Sequence, residues 1–264
     1  MELSLTALAS GALAFFAFSF IASASYVLND LVDIENDRTH PDKKSRPLAS
    51  GAITPAKAKI GMLLLFTLGV ILALIIGSTA VLVQLSLYSV INVGYSVYLK
   101  KIVIIDVFAL TALYLLRIFA GGFATQTDVS TWLIIFCFFV FLCLALLKRH
   151  AELELAETTR NESSDFLNAR GYLPGDKLFV ALFGIGSGSV SAAMLGVYIN
   201  EMTNATWSIL WILVPLWTMW VMRPWLLSAR GVAPRDPIEY AVRDKISVFA
   251  LILMILVYYL SRSF

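Results

Sequence analysis

The sequence predicts an all-α fold, a polytopic membrane bundle of about eight transmembrane helices. Of its 264 residues, 59% are hydrophobic and only 14% are charged, and the mean hydropathy is +0.81. The water-facing surface of a soluble domain does not tolerate this balance. The apolar residues also come in blocks of about 20, the length that a helix needs to cross roughly 30 Å of hydrocarbon. Residues 1–264 are therefore predicted to form a single transmembrane domain.

Eight apolar blocks qualify as spans. They consist mostly of Leu, Ile, Val, Phe and Ala, without the two-residue alternation of outer-membrane barrel strands. The predicted spans are 5–29, 58–80, 81–99, 104–124, 130–149, 178–199, 206–224 and 245–261. The first block lacks the basic start and cleavage site of a signal peptide, so it is expected to be retained as a span.

The basic residues separate between alternate connections. Eighteen of the 20 lysines and arginines fall in, or within two residues of, the first, third, fifth and seventh connections between predicted spans. By the positive-inside rule, these four connections are predicted to be cytoplasmic and both termini to lie outside. The formal net charge is only +2, which argues against a global basic field and hence against a nucleic-acid partner.

Two motifs inside the apolar blocks are interpreted as structural. Cys137 and Cys143 lie in one block without a neighbouring His or Cys pair, so they are predicted to be small buried hydrophobes. Gly184, Gly186 and Gly188 alternate within a span that no strand precedes. The motif is therefore predicted to allow close helix packing through Gly184 and Gly188 rather than to cradle a phosphate.

The strongest local signal is a polar run at the cytoplasmic end of the first span. The run contains Asn29, Asp30, Asp33 and Asp37. At 100° per residue these side chains fall within an arc of about 100° on a helix. Three carboxylates on one face repel each other unless a cation lies among them, and hard oxygen ligands suit Mg²⁺. The run is therefore predicted to bind Mg²⁺, the alternative being an ordinary solvated helix end.

A basic stretch follows the acidic run. Lys43, Lys44 and Arg46 are topogenic charges in the simplest interpretation, since they lie in a connection predicted to be cytoplasmic. Because they follow a predicted metal face, they are also placed to approach the phosphates that the metal binds. Lys44 and Arg46 are therefore predicted to contact substrate.

The acidic run and the stretch 46–51, Arg-Pro-Leu-Ala-Ser-Gly, together resemble the first aspartate motif of the UbiA superfamily of intramembrane prenyltransferases. The resemblance implies a nine-helix bundle with a cavity open to lipid and a diphosphate-Mg²⁺ site at its cytoplasmic end. The motif lies here on the first span, whereas the family carries it on the second. The chain is therefore expected to lack the family's first helix.

A second polar segment, 148–154, reads Lys-Arg-His-Ala-Glu-Leu-Glu where ordinary superfamily members carry a second aspartate motif. This form resembles the branch that includes decaprenyl-phosphate phosphoribosyltransferase and the membrane half of proteins that fuse a haloacid-dehalogenase-like domain to a UbiA-like one. Lys148 and Arg149 are predicted to bind donor phosphates, and Glu152 to accept from sugar hydroxyls. The alternative is a Lys148–Glu152 surface ion pair, worth about 0.3 to 0.5 kcal/mol.

The segment 168–172, Asn-Ala-Arg-Gly-Tyr, looks like the same branch. The resemblance makes Arg170 and Tyr172 candidate substrate contacts. Residues 236–238 and 243–245 also resemble this branch, so the likeness extends over almost the whole chain.

Polar residues inside two further spans follow single helix faces. Tyr88 and Tyr95 lie on a stripe that ends beside Lys100, and the Tyr-Ser-x-x-Leu-Lys segment beginning at Tyr95 resembles one in the superfamily. Asp106 and Arg117 nearly share a face of the next span. Because an Asp or Arg near a membrane helix centre costs about 2.5 to 3.5 kcal/mol, such residues usually face the bundle interior or a wet cavity. Tyr95, Lys100 and Arg117 are therefore predicted to contact substrate, the alternative being structural partners on other helices.

The resemblance implies a Mg²⁺-dependent transferase that moves 5-phosphoribose from phosphoribosyl diphosphate to a polyprenyl phosphate and releases diphosphate. One alternative is a UbiA-type prenyltransferase that moves a prenyl group from a prenyl diphosphate to an aromatic or other small acceptor. Another is a transporter or channel, although no paired broken helices support it. The predicted catalytic residues are Asp30, Asp33, Asp37 and Glu152. The expected location is a bacterial inner membrane, with the active site on the cytoplasmic side and a homo-oligomer left open.

Overall fold

The computed structural model describes residues 4–39, 43–158, 170–203, 208–231, 241 and 243–261. Every regular element within these ranges is helical, which confirms the all-α prediction. Seven helical segments are long and apolar enough to cross a membrane, and the apolar helix Lys245–Ser261 is shorter, at 17 residues. The fold is that of a multi-pass membrane protein. It divides into two compact units, Met1–Val129 and Ser130–Phe264.

The described part of the first unit contains five α-helices. They are α1 (Leu5–Val32), α2 (Ile34–Thr39), α3 (Pro55–Ile76), α4 (Thr79–Val97) and α5 (Ile105–Thr125), with a 3₁₀ turn at Leu99–Lys101. Local chemistry sets the bounds of α3. The Thr54 hydroxyl accepts from the backbone N–H of Lys57 at 3.4 Å, and Pro55 fills the first helical position, where no N–H donor is needed. Gly77, at φ 71°, ends the helix in the left-handed conformation.

Helices α1 and α3 approach each other closely because the facing residues are small. A Cβ added to Gly69 would lie 2.9 Å from the Ala17 carbonyl oxygen and 2.8 Å from the Ile21 side chain. The core of the unit around this contact also contains Phe18 and Tyr88, both buried. Small residues that let backbones approach are the usual means of helix packing in membranes.

The first predicted span differs from expectation at its end. The sequence predicted one helix face running through Asp37, whereas α1 ends at Val32 and α2 begins at Ile34. Asp33 adopts φ −96° and ψ 7°, but its backbone N–H still bonds the Asn29 carbonyl at 2.9 Å. The chain therefore bends at Asp33 without reversing, because the hydrogen bonds on either side of it are kept.

The second unit contains four α-helices within the described ranges. They are α6 (Thr131–Thr158), α7 (Lys177–Thr203), α8 (Leu213–Ala229) and α9 (Lys245–Ser261), with 3₁₀ turns at Pro174–Asp176 and Ile209–Ile212. Helix α6 continues beyond its predicted end at residue 149. The polar segment 148–154 is therefore helical throughout.

The glycines of α7 support close packing, as predicted. A Cβ on Gly184 would overlap the ring of Trp225, and one on Gly188 would overlap Val221, both on α8. Both described cysteines are free, and Cys143 is buried where its sulfur accepts from the indole N–H of Trp225 at 3.3 Å. The packing prediction for Gly184 and Gly188 is confirmed, and so is the burial of Cys143, whereas Cys137 is only half-buried.

Candidate active site

Arg46 brings two residues of the acidic run together. Its Nη1 donates to Asp30 Oδ1 at 2.8 Å and to Asp37 Oδ2 at 2.9 Å. The Asp37 side chain is only 5% exposed, while that of Asp30 is 32% exposed. The connection between α2 and α3 therefore folds back so that one guanidinium bridges carboxylates on both sides of the bend at Asp33.

Lys100 joins the other two members of the run. Its Nζ donates to Asp33 Oδ1 and Oδ2 at 2.6 and 2.7 Å, and to Asn29 Oδ1 at 3.1 Å. The Lys100 side chain is 5% exposed and comes from the 3₁₀ turn after α4, 67 residues along the chain from Asp33. The predicted substrate residue Lys100 thus lies against the predicted metal ligands.

The four residues Asn29, Asp30, Asp33 and Asp37 are called the acidic cluster below. Lys43 adds a third cation, with Nζ 3.9 Å from Asp37 Oδ1. The three carboxylates of the cluster are therefore matched by three cationic side chains. Lys44, also predicted to contact substrate, lies exposed on the same connection.

The chemistry of the acidic cluster fits a hard divalent cation, because its ligands are carboxylate and amide oxygens. The described part of the chain nevertheless holds no group of three or more Asp, Glu, His or Cys side chains arranged around one ion position. The contacts explain this, because Arg46 lies between the carboxylates of Asp30 and Asp37, while Lys100 covers both oxygens of Asp33. The carboxylates of the cluster are therefore neutralised by side chains of the same unit.

Arg117 lies in the interior of the first unit. Its Nη2 donates to the hydroxyl of the buried Tyr88, and its guanidinium carbon lies 5.1 Å from the Tyr88 ring centroid and 5.2 Å from that of Tyr114. Aromatic faces attract a cation more strongly when it is desolvated. Asp106 is fully buried in the first turn of α5, and Tyr95 is half-buried on α4. The prediction that the polar faces of these spans turn inward is confirmed.

The second unit carries its own charged group on α6. Arg149 is only 1% exposed and donates from Nη1 to Glu152 Oε2, while Arg170 Nε lies 4.0 Å from the same oxygen. Tyr172, two residues after Arg170, is buried, and Lys148, next to Arg149 on α6, is half-buried. Glu152 therefore has an interior ion pair with Arg149, which replaces the surface Lys148–Glu152 pair considered from the sequence. Arg149, Glu152 and Arg170 are called the basic cluster below.

Sequence reasoning missed further partners at this end of α6. Lys177 Nζ lies 2.7 Å from Glu157 Oε2 and also pairs with Glu154, and His150 Nδ1 lies 2.8 Å from Ser228 Oγ. The three-residue spacing of the two glutamates was a usable helical signal, but the Ser228 contact depends on packing. Of the segments that resemble the phosphoribosyltransferase branch, residues 168–169 and 236–238 lie outside the described residues.

The fold and the two clusters define a polytopic membrane protein whose charged groups suit phosphate chemistry. The UbiA prenyltransferase family model matches residues 3–154. The chain therefore belongs to the UbiA prenyltransferase family, and the prediction of an enzyme of this superfamily is confirmed.

Individual relatives agree with this assignment. The uncharacterized protein y4nM of Sinorhizobium fredii is 36% identical over 89% of the chain, and the matched region makes up 46% of that protein. The decaprenyl-phosphate phosphoribosyltransferase of Corynebacterium glutamicum is 31% identical over 89% of the chain and 70% of its own length. The chain thus spans less than half the length of the first of these relatives.

A solved structure supports the fold. The UbiA homologue from Archaeoglobus fulgidus, bound to DMAPP and Mg²⁺, superposes with a TM-score of 0.70 over 97% of this chain and 88% of that one. The two sequences are 16% identical, so this likeness concerns the fold alone.

Proposed function

We propose that the protein is a Mg²⁺-dependent transferase that moves 5-phosphoribose from phosphoribosyl diphosphate to a polyprenyl phosphate. The observation that carries the proposal is the basic cluster, in which the buried Arg149 pairs with Glu152 and Arg170 lies close to the same carboxylate. In the sequence, this cluster occupies the position where ordinary superfamily members have a second acidic motif. A relative that is 31% identical over most of the chain is named for this reaction. The distribution of lysine and arginine favours the cytoplasmic side of a bacterial inner membrane for the chemistry.

The acidic cluster is assigned to the leaving diphosphate. Asn29, Asp30, Asp33 and Asp37 would provide the oxygen ligands for a magnesium ion. When bound, Mg²⁺ would neutralise the diphosphate oxygens and so make diphosphate a better leaving group. Lys44, Arg46 and Lys100 supply further positive charge to the same oxygens.

The basic cluster is assigned to the phosphoribosyl end of the donor. A donor of this kind has a second phosphate that needs cations of its own, and ribose hydroxyls that need acceptors. Arg149 and Arg170, with Lys148, provide the cations, and the Glu152 carboxylate accepts from hydroxyls. Tyr172, Tyr95 and Arg117 are assigned to substrate positioning. Two acidic clusters would offer no comparable site for the second phosphate.

The proposed reaction needs charge stabilisation rather than a base. The bond from the anomeric carbon of ribose to the diphosphate oxygen breaks, and a bond from the same carbon to an acceptor phosphate oxygen forms. The acceptor phosphate is already an anion, so no proton has to be removed from it. Preorganised charges that stabilise the departing diphosphate supply most of the catalysis.

Transfer of a prenyl group from a prenyl diphosphate is the second candidate. The fold neighbour from Archaeoglobus fulgidus was solved with DMAPP and Mg²⁺, and the acidic cluster suits any diphosphate. The composition of 148–177, which has no pair of aspartates at motif spacing, argues against this candidate.

The test is an assay of the purified chain in lipid with Mg²⁺, phosphoribosyl diphosphate labelled in the ribose, and a polyprenyl phosphate. We expect label in the lipid fraction that disappears in Asp33→Ala and persists in Glu35→Gln. Glu35 is a matched control, since its exposed carboxylate pairs with Arg38 on α2 and not with the cluster. Transfer of a labelled prenyl group with no transfer of ribose would instead establish the second candidate.

A further inference from the structure

The three carboxylates of the acidic cluster are balanced by three cationic side chains of the same unit. Lys100 engages both oxygens of Asp33 and the amide oxygen of Asn29, and these three contacts match the three donors of an ammonium group. Arg46 holds one oxygen of Asp30 and one of Asp37. Every member of the cluster therefore has a cationic partner in place.

A divalent ion cannot join this arrangement without displacing a cation. Mg²⁺ requires its ligands at about 2.0 to 2.1 Å in near-ideal geometry. Arg46 Nη1 instead separates two carboxylates at 2.8 and 2.9 Å, and Lys100 covers both oxygens of Asp33. Bare Mg²⁺ would add two charges to a cluster whose formal charges cancel, and the displaced Lys100 is buried away from water.

A diphosphate changes this balance. A phosphomonoester alone carries about −1.5 to −2 at pH 7, and a diphosphate carries more. An ion that arrives with a diphosphate therefore brings new acceptors for the displaced ammonium and guanidinium groups. The same cations that oppose the ion on its own then stabilise the ion and diphosphate together.

We propose that Lys100 and Arg46 are exchangeable counter-ions that keep a bare divalent ion out of the acidic cluster and admit it together with a diphosphate, to which both cations transfer. This inference rests on the proposed function in taking the cluster as the diphosphate site. It adds that metal and diphosphate binding are positively coupled. By linkage, the factor by which diphosphate raises ion affinity equals the factor by which the ion raises diphosphate affinity.

Binding measurements on the full chain in detergent test the coupling without any turnover. Mn²⁺ affinity is measured by the loss of its free-ion resonance signal, and binding of inorganic diphosphate by calorimetry with and without Mg²⁺. In the unsubstituted chain we expect weak Mn²⁺ binding and about tenfold or greater coupling to diphosphate. Lys100→Met is expected to bind Mn²⁺ alone about tenfold more tightly and to lose most of the coupling.

The neighbouring Lys101 gives the matched control. Its side chain is exposed on the same 3₁₀ turn, so Lys101→Met removes one charge from the same region without uncovering Asp33. Lys101→Met should behave as the unsubstituted chain. Equal or weaker Mn²⁺ binding in Lys100→Met would overturn the inference, as would a similar gain in Lys101→Met, which would reveal a general charge effect.

Two further variants keep the test decisive. Lys100→Arg retains the charge and should retain weak binding of the bare ion. If Lys100→Met does not fold, Arg46→Gln should show the same gain, because it frees Asp30 and Asp37. Failure of every variant to bind Mn²⁺, with or without diphosphate, would defeat the proposed function itself. Binding without the expected change in coupling defeats only the counter-ion inference.

Discussion

The acidic cluster of the first unit and the basic cluster of the second are built in opposite ways. The first contains carboxylates on α1 and α2 that are neutralised by side chains far along the chain, 16 residues away for Arg46 and 67 for Lys100. The second contains a buried arginine whose carboxylate partner lies three residues along the same helix. One cluster therefore depends on the packing of several elements, and the other is largely made by one helix.

This difference has a chemical consequence. The carboxylates at residues 30 and 33 keep 32% and 20% of their side chains exposed, so a ligand can reach them once the cations move. The Lys100–Asp33 pair, with 5% and 20% of its side chains exposed, is about as buried as the Arg149–Glu152 pair, with 1% and 23%, whereas the Arg46–Asp30 pair keeps 38% and 32% exposed. A buried ion pair is costly to break, whereas a partly exposed one exchanges partners readily. Within the acidic cluster, the Arg46–Asp30 contact is therefore the one that exchanges at the lowest cost, and the contacts of the basic cluster are more deeply buried.

The largest expected effect concerns the acidic cluster. Asp33→Asn keeps the size of the side chain but removes the charge that both Lys100 and a metal ion would bind. We expect ribose transfer to fall on the order of 10³-fold, because charge stabilisation of the leaving group carries most of the proposed catalysis. Initial rates at saturating Mg²⁺ measure it. A loss of only a few-fold would mean that the cluster contributes structure rather than chemistry.

The next effect concerns the basic cluster. Arg149→Met leaves Glu152 with Arg170 at 4.0 Å and 23% of its side chain exposed. Removing one partner of a buried pair costs about 3 to 5 kcal/mol, and partial exposure of Glu152 favours the lower end. The free energy of unfolding in mixed micelles measures it. The double variant Arg149→Met with Glu152→Met should recover most of the loss, and failure to recover would show that Arg149 stabilises through other contacts.

The sequence predicted best the features that are set within a single helix, such as its position and its bounds. The apolar blocks located the spans, but the helical periodicity of the acidic run did not predict the bend at Asp33. The true bounds of α3 were also readable, since Thr54 with Pro55 begins the helix and Gly77 ends it, although the hydropathy of the block alone placed it at 58–80.

The sequence could not predict which charged side chains pair with each other. Spacings of three and four residues are both neighbours on a helix, so periodicity could not decide between Arg149 and Lys148 as the partner of Glu152. The pairing of Lys100 with Asp33 depends on how α4 packs against α1. The bend at Asp33 was likewise not predictable, because no proline or glycine lies next to it in the sequence.

A smaller effect tests the tight packing of α1 against α3 in the first unit. Gly69→Ala in the first unit meets a backbone oxygen at 2.9 Å, which cannot move aside alone. We expect a loss of about 1 to 3 kcal/mol in the free energy of unfolding, typical of overpacking. Gly61→Ala on the same helix is the control, since nothing lies within 4 Å of its added Cβ. Equal stability of the two variants would mean that α1 and α3 can separate at little cost.

The smallest expected effect concerns an exposed ion pair that takes part in neither cluster. Arg38 and Glu35 form a 2.8 Å pair on α2, beside the acidic cluster in sequence, but their side chains are 48% and 78% exposed. Exposed pairs contribute about 0 to 1 kcal/mol because water and salt screen them. Arg38→Gln should therefore change the free energy of unfolding by less than about 1 kcal/mol and leave Mn²⁺ affinity unaltered. A clear change in Mn²⁺ affinity would show that charge anywhere near the bend, and not the specific contacts of Arg46 and Lys100, controls the site.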